Sequence, residues 1–385
     1  MDETQGTPKS CCAPPVVQQP TSCCCCGAPS VVTKYLGDSE ASWVVGEIDT
    51  PAGRVPRVST TLELDDKLGA WKVRWGIGRT KFRVQPGLYA VGNPTPESNV
   101  AVSANFKMSF DRLRSELSGI NAWILVLDTK GINVWCAAGK GTFGTDEIVN
   151  RVQSVELDKV VSHHKLILPQ LSAPGVRALH VRQRSGFKVI YGPVRASDLP
   201  QFLRAGMKAS PEMRRVRFPI VNRIALIPVE LVNMTKYALL IAAGFFVLAG
   251  FYSGGYSIQR MLSIGSWSAA VFVVGCILAA SLTPALLPWL PGRSFSVKGA
   301  AVGLVFALAI SAYALARPVP SESPIVLVGW LLMLPAVTGF LAFNFTGAST
   351  YTSLSGVKKE MRVAVPVQIV AAVIGFGLWI TGRFV

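Results

Sequence analysis

Apolar and polar positions divide the 385-residue chain into three regimes. From Tyr237 onward five apolar runs recur, at 237–256, 266–290, 299–316, 323–343 and 364–382. Each is near the ~20 residues that cross a bilayer, so the pattern predicts five spanning helices. Between 55 and 230 the runs are shorter and change period. VAVSANF (100–106), AWILVLD (122–128), INVWCA (132–137), HKLILP (164–169) and FKVIYGP (187–193) read as strands. FDRLRSEL (110–117), TDEIVNRVQSV (145–155) and ASDLPQFLRAG (196–206) read as helices. Such alternation predicts an α/β domain around a largely parallel sheet. Residues 1–30 follow neither period and are too rich in Pro and Cys to build a core. The expected organisation is a tail and lead-in over 1–54, a cytoplasmic α/β domain over 55–230 and a five-helix transmembrane domain over 231–385.

Charge adds an orientation. One set of alternate loops between the apolar runs holds Arg293, Lys298, Lys358, Lys359 and Arg362; the other holds Arg260, Arg317 and the tail residue Arg383. The richer set faces the cytoplasm, which places residues 1–236 there and the chain in the inner, cytoplasmic membrane as a multi-pass protein. The basic stretch KASPEMRRVRFPIVNR (208–223), just before the first run, suits anionic lipid headgroups. The net charge of +16 therefore fits a positive-inside membrane protein, and no nucleic-acid-binding motif accompanies it. The apolar runs hold almost no ionisable residue, and Pro284, Pro288 and Pro335 kink helices without moving charge, so an anchor is expected rather than a transporter.

Six of the eight cysteines fall between positions 11 and 26, where reduced thiols in a disordered tail or a thiol-rich arm for soft cations are both open readings. Candidate chemistry concentrates instead in GINVWCAAGKGTFGTDEIVNRV (131–152). Gly139, Gly141 and Gly144 spell a dinucleotide fingerprint, with Asp146 and Glu147 in the following helix. The acid that should end the next strand is missing, because that strand runs into Pro169 and Gln170. A phosphate loop fails on spacing, since Val134 and Gly141 occupy its required positions. The third candidate is Cys136, at the carboxyl end of a predicted strand, where turn amides, a helix N-terminus and Lys140 favour a thiolate. A small buried packing residue is the competing reading of the same cysteine. His163, His164 and His180 have no ligand-spaced partners and read as surface or loop residues, and no hydrolase elbow is present.

The segment NVWCAAGKGTFGT resembles the cap-helix signature of the corrinoid proteins of microbial mercury methylation. VSANFKMSFDRLR (102–114), LILPQLSAPGV (166–176) and GFKVIYGPVRASDLPQF (186–202) are similar to the corrinoid domain of the corrinoid iron–sulfur proteins of acetyl-CoA synthesis, over roughly 60–210. The resemblance implies a Rossmann-like α/β corrinoid-binding domain followed by the five-helix anchor that sets the mercury-methylating branch apart. It implies cobalamin or a related corrinoid as cofactor, with Cys136 as catalytic residue and lower axial ligand to cobalt. Asn133, Val134, Trp135, Ala137, Ala138, Gly139 and Lys140 fill the motif, followed by Gly141 and Thr142, and small residues beside the cysteine let backbone approach a flat macrocycle. Ser103, Asn105, Lys107 and Ser109, at a strand end and its loop, are candidate contacts to the corrinoid's amide arms or nucleotide tail, or else a solvated strand edge. The implied activity passes a methyl group from methyl-Co(III) to Hg(II), forming methylmercury. The methyl donor would be a reduced pterin such as methyltetrahydrofolate, and the electron donor a ferredoxin-like protein with two 4Fe–4S clusters. Membrane lipid is the further expected partner and nucleic acid is not expected. Two other readings stand beside it: a corrinoid methyl carrier of one-carbon or acetyl-CoA metabolism, and a nucleotide-binding membrane oxidoreductase.

Overall fold

The computed structural model describes residues 34–316, 323–348 and 354–385. The cysteine-rich stretch that ends at residue 26 lies outside the described residues. Seven strands form one sheet: β1 (Val44–Thr50), β2 (Gly53–Val58), β3 (Gly87–Val91), β4 (Val100–Ala104), β5 (Ala122–Leu127), β6 (Lys165–Leu168) and β7 (Lys188–Tyr191), in the order β1-β2-β3-β5-β4-β6-β7. Four of the pairings are parallel, whereas β1 runs antiparallel to β2 and β3 to β5. The expectation of a largely parallel sheet therefore holds for β4 to β7, while on the other half only the β2–β3 pairing is parallel. Strand β3 carries no period-two signal because it is buried along its whole length, whereas β1 alternates between half-buried and exposed positions. The expected boundary at residue 55 falls inside β2, so the β1–β2 hairpin belongs to the sheet and not to a lead-in.

Helices α1 (Leu64–Arg74), α2 (Lys107–Glu116), α3 (Val134–Lys140), α4 (Thr145–Ser154), α5 (Leu157–Val160), α6 (Ala178–Ser185), α7 (Leu199–Arg204) and α8 (Pro211–Arg214) complete the α/β part. The two sheet faces are separated by strict alternation. Val100, Val102 and Ala104 of β4 and Trp123, Leu125 and Leu127 of β5 pack with α3, α4 and α6. Ala101, Ile124 and Val126 face the other way, against Phe110 and Leu113 of α2 and Leu199 and Phe202 of α7. Both layers are apolar, which explains why the central strands read as continuous hydrophobic runs.

On the α2 face a buried charge cluster ties α1 to α2. Arg114, with no exposed surface, donates to Asp66 Oδ2 at 2.6 Å, to Asp111 Oδ1 at 2.9 Å and to the Ser59 and Thr61 carbonyls at 2.5 and 3.0 Å. Lys107 pairs with Asp66 and, at 2.8 Å, with Asp111. Burial pushes the Asp66 carboxyl up, but Lys107 and Arg114 outweigh it and hold the group below its ordinary value.

Among the described residues five helices are long and apolar enough to cross a membrane: Ile220–Leu248, Ile258–Ala285, Phe295–Ala316, Pro324–Thr346 and Ser355–Thr381. The first begins at Ile220 and not near residue 237, and the last at Ser355 and not near 364. Helical hydrogen bonding continues past the apolar run into segments carrying Glu230, Asn233 and Lys236, which polarity alone had marked as outside the span. The expected boundary at 230 therefore lies within a continuous helix. Charges near the bundle are tied to helix ends, as where Lys298 Nζ donates to the Leu287 and Leu290 carbonyls, both at 2.7 Å.

Asp66→Asn leaves Lys107 and Arg114 buried with one counter-charge fewer, a change expected to cost about 3 kcal/mol. Because the folded-state value of Asp66 is depressed, its contribution is complete above the unfolded carboxyl value of about 4 and is lost as pH falls through the lower folded value. Unfolding of wild type and variant followed from pH 7 to 3 should show a stability gap that closes at the acid end.

Candidate functional site

Strand order reverses at β4, which has β5 on one side and β6 on the other. Crossovers leaving in opposite directions open a crevice at the carboxyl ends of the strands, the usual place for a ligand in such sheets. Here the crevice is a cavity of about 410 Å³. Val102, Ile167 and Leu171 form apolar wall; Ser103 and Pro169 stand at strand ends; α2 contributes Ser109 and Arg112; α3 contributes Asn133, Val134 and Trp135.

The segment expected as a strand, 132–137, is instead the entry and first half of α3. Asn133 has extended backbone at the N-cap, and its side-chain oxygen accepts from the Cys136 N–H at 2.9 Å. Ala137 and Ala138 favour helix, and Gly141, at φ 81°, ends it in the left-handed region. A short apolar run has no period long enough to separate the two conformations. Cys136 accordingly sits in the first turn of a helix and not at a strand end. The glycine pattern changes meaning too: Gly139 is inside α3, Gly141 caps it and Gly144 begins α4, so no strand-turn-helix phosphate loop exists.

The chain reaches α3 through residues 128–133, which are held from β4. The Asn105 side-chain oxygen accepts from the N–H groups of Thr129 at 3.1 Å and Gly131 at 2.9 Å, while its amide donates to Asp128 at 3.2 Å. Lys130 and Gly131 are both left-handed, at φ 60° and 71°, and a Cβ on Gly131 would lie 3.2 Å from the Thr80 carbonyl. Asp128 compensates the strained Lys130 by accepting from its backbone at 3.0 Å and its ammonium at 2.8 Å. On the far side α3 rests on a 3₁₀ turn, Gln170–Gly175, so closely that a Cβ at Gly175 would come 2.4 Å from the Phe143 carbonyl and 2.9 Å from that of Ala138.

These contacts redistribute the expected site residues. Ala137 and Ala138 are buried and serve the packing of α3 on the protein, not an approach of backbone to a macrocycle. Asn105 is buried and fully engaged with the 128–133 loop, and Lys107 is locked between Asp66 and Asp111, so neither is a free contact. Ser103, Ser109, Asn133, Val134 and Trp135 do line the cavity. Cys136 is a free, half-buried thiol one position after Trp135 and is not itself among the lining residues. Gly139, Lys140 and Gly141 are exposed and Thr142 half-buried beyond it. Arg112, Leu171 and Arg195 line the cavity without having been singled out from the sequence, although each lies within a segment that carries the corrinoid resemblance. His163 is engaged through Nε2 with the Ser98 carbonyl at 2.9 Å, and no group of three potential metal-ligating side chains exists among the described residues.

The residues present fit a corrinoid. The cavity offers an apolar shelf with polar groups at its edge, and a Cβ at Gly139 would meet nothing within 4 Å, so the exposed face of α3 is open to a flat group. The buried Ser103 hydroxyl donates at 3.3 Å to the adjacent Ala104 carbonyl, which leaves its lone pairs for a ligand amide. Cys136 is the soft donor suited to a transition metal.

Comparison with known proteins places the same region. The family model for the CO dehydrogenase/acetyl-CoA synthase delta subunit matches residues 75–203. The corrinoid/iron-sulfur protein large subunit of Moorella thermoacetica is 31% identical over 182 residues, 47% of this chain and 37% of that protein. The acetyl-CoA decarbonylase/synthase complex subunit gamma of Archaeoglobus fulgidus is 30% identical over 127 residues, 32% of this chain and 27% of that protein. Subunit gamma 2 of Methanosarcina thermophila is 33% identical over 126 residues, 32% and 26% of the two chains. The α/β domain is thus related to corrinoid-protein subunits, while the chain spans only 26 to 37% of the length of these relatives.

Asn105→Ala removes the acceptor for two buried backbone N–H groups and is expected to destabilise the domain by about 2–3 kcal/mol. Hydrogen exchange should localise the loss, with amides 129–140 exchanging faster than those of α4. Asn133→Ala, which removes only a cap, should cost about 1 kcal/mol and leave the loop before α3 protected.

Proposed function

We propose that the α/β domain holds a corrinoid at the ends of β4, β6 and β7, with Cys136 as protein ligand to cobalt, and that the chain passes a methyl group to an acceptor beside a membrane. The observation that carries this reading is the free thiol in the first turn of a capped helix beside the switch-point cavity. When bound, the corrinoid supplies a cobalt centre that takes up and releases a methyl group, chemistry that no side chain offers.

The chain's own part is positioning and electronics. Cys136 would give the metal an anionic sulfur, a stronger donor than imidazole. Asn133 fixes the Cys136 backbone, and Asn105 fixes the loop that delivers both. Ser103 and Ser109 are placed to bond amide arms, and Arg112 and Arg195 to meet an anionic tail. Val102, Ile167 and Leu171 keep water from one side of the cavity.

The names of the relatives favour an acceptor in acetyl-CoA or one-carbon metabolism. A second reading, transfer to Hg(II) with formation of methylmercury, is favoured by the run NVWCAAGK at 133–140 and by five spans that lie outside the family match. A reduced pterin such as methyltetrahydrofolate as methyl source and a ferredoxin-like protein with two 4Fe–4S clusters as electron donor belong to this proposal as expectations from the resemblance. The oxidoreductase reading loses its support with the placement of Gly139 inside a helix.

The purified chain loaded with cobalamin should give a visible spectrum that shifts on Cys136→Ala. Cys136→His should keep the cofactor and slow methyl transfer by about 10-fold or more. Offered Hg(II) and a thiol in parallel, the methylated protein identifies its acceptor by product: methylmercury supports the second reading, a methyl thioether the first. Absence of bound corrinoid in the wild type would overturn both.

A further inference from the structure

Helix α1 carries an apolar stripe that the described residues leave uncovered. Its inner side is set by Asp66 and Val73, both buried. On the outer side Leu64, Leu68 and Trp71 recur at helical spacing with exposures of 69, 45 and 58%, and the Trp71 ring lies 6.0 Å from that of Trp75. Ile77 in the following turn is also exposed, at 60%. Exposing this much apolar surface in water is costly, and a contiguous patch of it marks something that covers it.

Three observations say what covers it. The first is place. A Cβ on Gly76, at the end of α1, would stand 3.6 Å from Val232 of the first span. Val232 precedes Lys236 and the exposed Tyr237 by about one helical turn, roughly 6 Å, which is the depth of a headgroup layer. The second is charge. Residues 67–83 hold Lys67, Lys72, Arg74, Arg79, Lys81 and Arg83 and no acidic residue; Glu63 and Asp65 are confined to the end of α1 away from the span. The third is continuity. The opening turn of the first span exposes Ile220, Val221 and Ile224, and beside it Arg223 lies over the exposed Trp289 ring at 5.3 Å, extending one apolar and aromatic rim around the same end of the bundle.

We infer that α1 and the turn after it lie in the interface of an anionic bilayer, Leu64, Leu68, Trp71 and Ile77 inserted and the basic side chains at the lipid phosphates; this rests on the five long helices crossing that bilayer. The α/β domain is then held to the membrane at a second place besides its covalent link. The contact reaches the candidate site. Beyond α1 the chain runs under the loop that enters α3: the Lys107 N–H donates to the Phe82 carbonyl at 3.2 Å, the Val84 N–H to that of Asn105 at 2.8 Å, and Thr80 abuts Gly131. Lipid-bound α1 therefore fixes the orientation of the Cys136 helix relative to the membrane.

Hydrogen exchange of the full chain in nanodiscs tests this, comparing pure phosphatidylcholine with discs containing about one-third phosphatidylglycerol. Amides 64–78 should exchange about five-fold or more slowly in the anionic discs, a difference of the size one basic contact supplies, and the gap should shrink at high salt. Leu68→Glu with Trp71→Glu should abolish it while β4 and β5 exchange as before. Equal exchange in both lipids and in detergent would overturn the proposal, and this comparison needs no variant that has to fold. Protection that depends on protein concentration in detergent, or that appears only when a soluble protein is added, would also overturn it by identifying a second copy or a protein partner as the occupant. A chain that does not enter nanodiscs at all would instead overturn the spanning assignment.

Discussion

The carboxamide of Asn105 is the constraint on which the candidate site depends. Where β5 leaves the sheet, the chain must turn through two left-handed residues, and its N–H groups are withdrawn from water before any regular structure can satisfy them. A buried unpaired N–H costs as much as several good packing contacts, so the turn exists only because a short side chain on the neighbouring strand presents an acceptor at the right height. Asn is suited to this because one group accepts on one side and donates on the other, to Asp128. The loop fixed in this way aims α3, which brings Asn133 and Trp135 to the cavity and Cys136 one position after Trp135.

The same strand end organises the opposite layer. Lys107, two residues beyond Asn105, enters the buried cluster with Asp66, Asp111 and Arg114, and so joins α1 to the start of α2. Such a cluster contributes little net stability once desolvation is counted, but it admits few arrangements, because any shift strands a charge in an apolar setting. It fixes which side of α1 faces inward. The apolar stripe of α1 is turned outward as a result. A polar network in the interior thus decides the orientation of a hydrophobic surface outside it.

Cavity, thiol helix and five long apolar helices lie in one chain, the first two in the α/β part and the last after it. The family match falls within the α/β part, and the strand-order reversal at β4 gives that part its crevice. Fold and site are separable here: the sheet accounts for where the cavity lies, and the loop after β5 accounts for where α3 and its thiol are placed.

By itself the sequence determined the features that depend on transfer free energy summed over many residues. Five apolar runs became five long helices, and the alternating runs from 100 to 193 became β4 to β7 with their helices, because neither signal requires knowing a distant partner. The segments that line the cavity were also legible, with Ser103 at the end of β4 and Ser109 in the first turn of α2. Tertiary structure alone decided the rest. INVWCA is too short for its period to distinguish strand from helix, and the cap on Asn133 and the close seat on Gly175 settled it. Strands β1 to β3 gained their places from neighbours already in the sheet. Asn105 and Lys107 are polar residues at a strand end, a description that fits a ligand contact as well as a structural one. The difference lies in partners 23 to 41 positions away, Asp128 and Asp66, whose proximity no local pattern encodes.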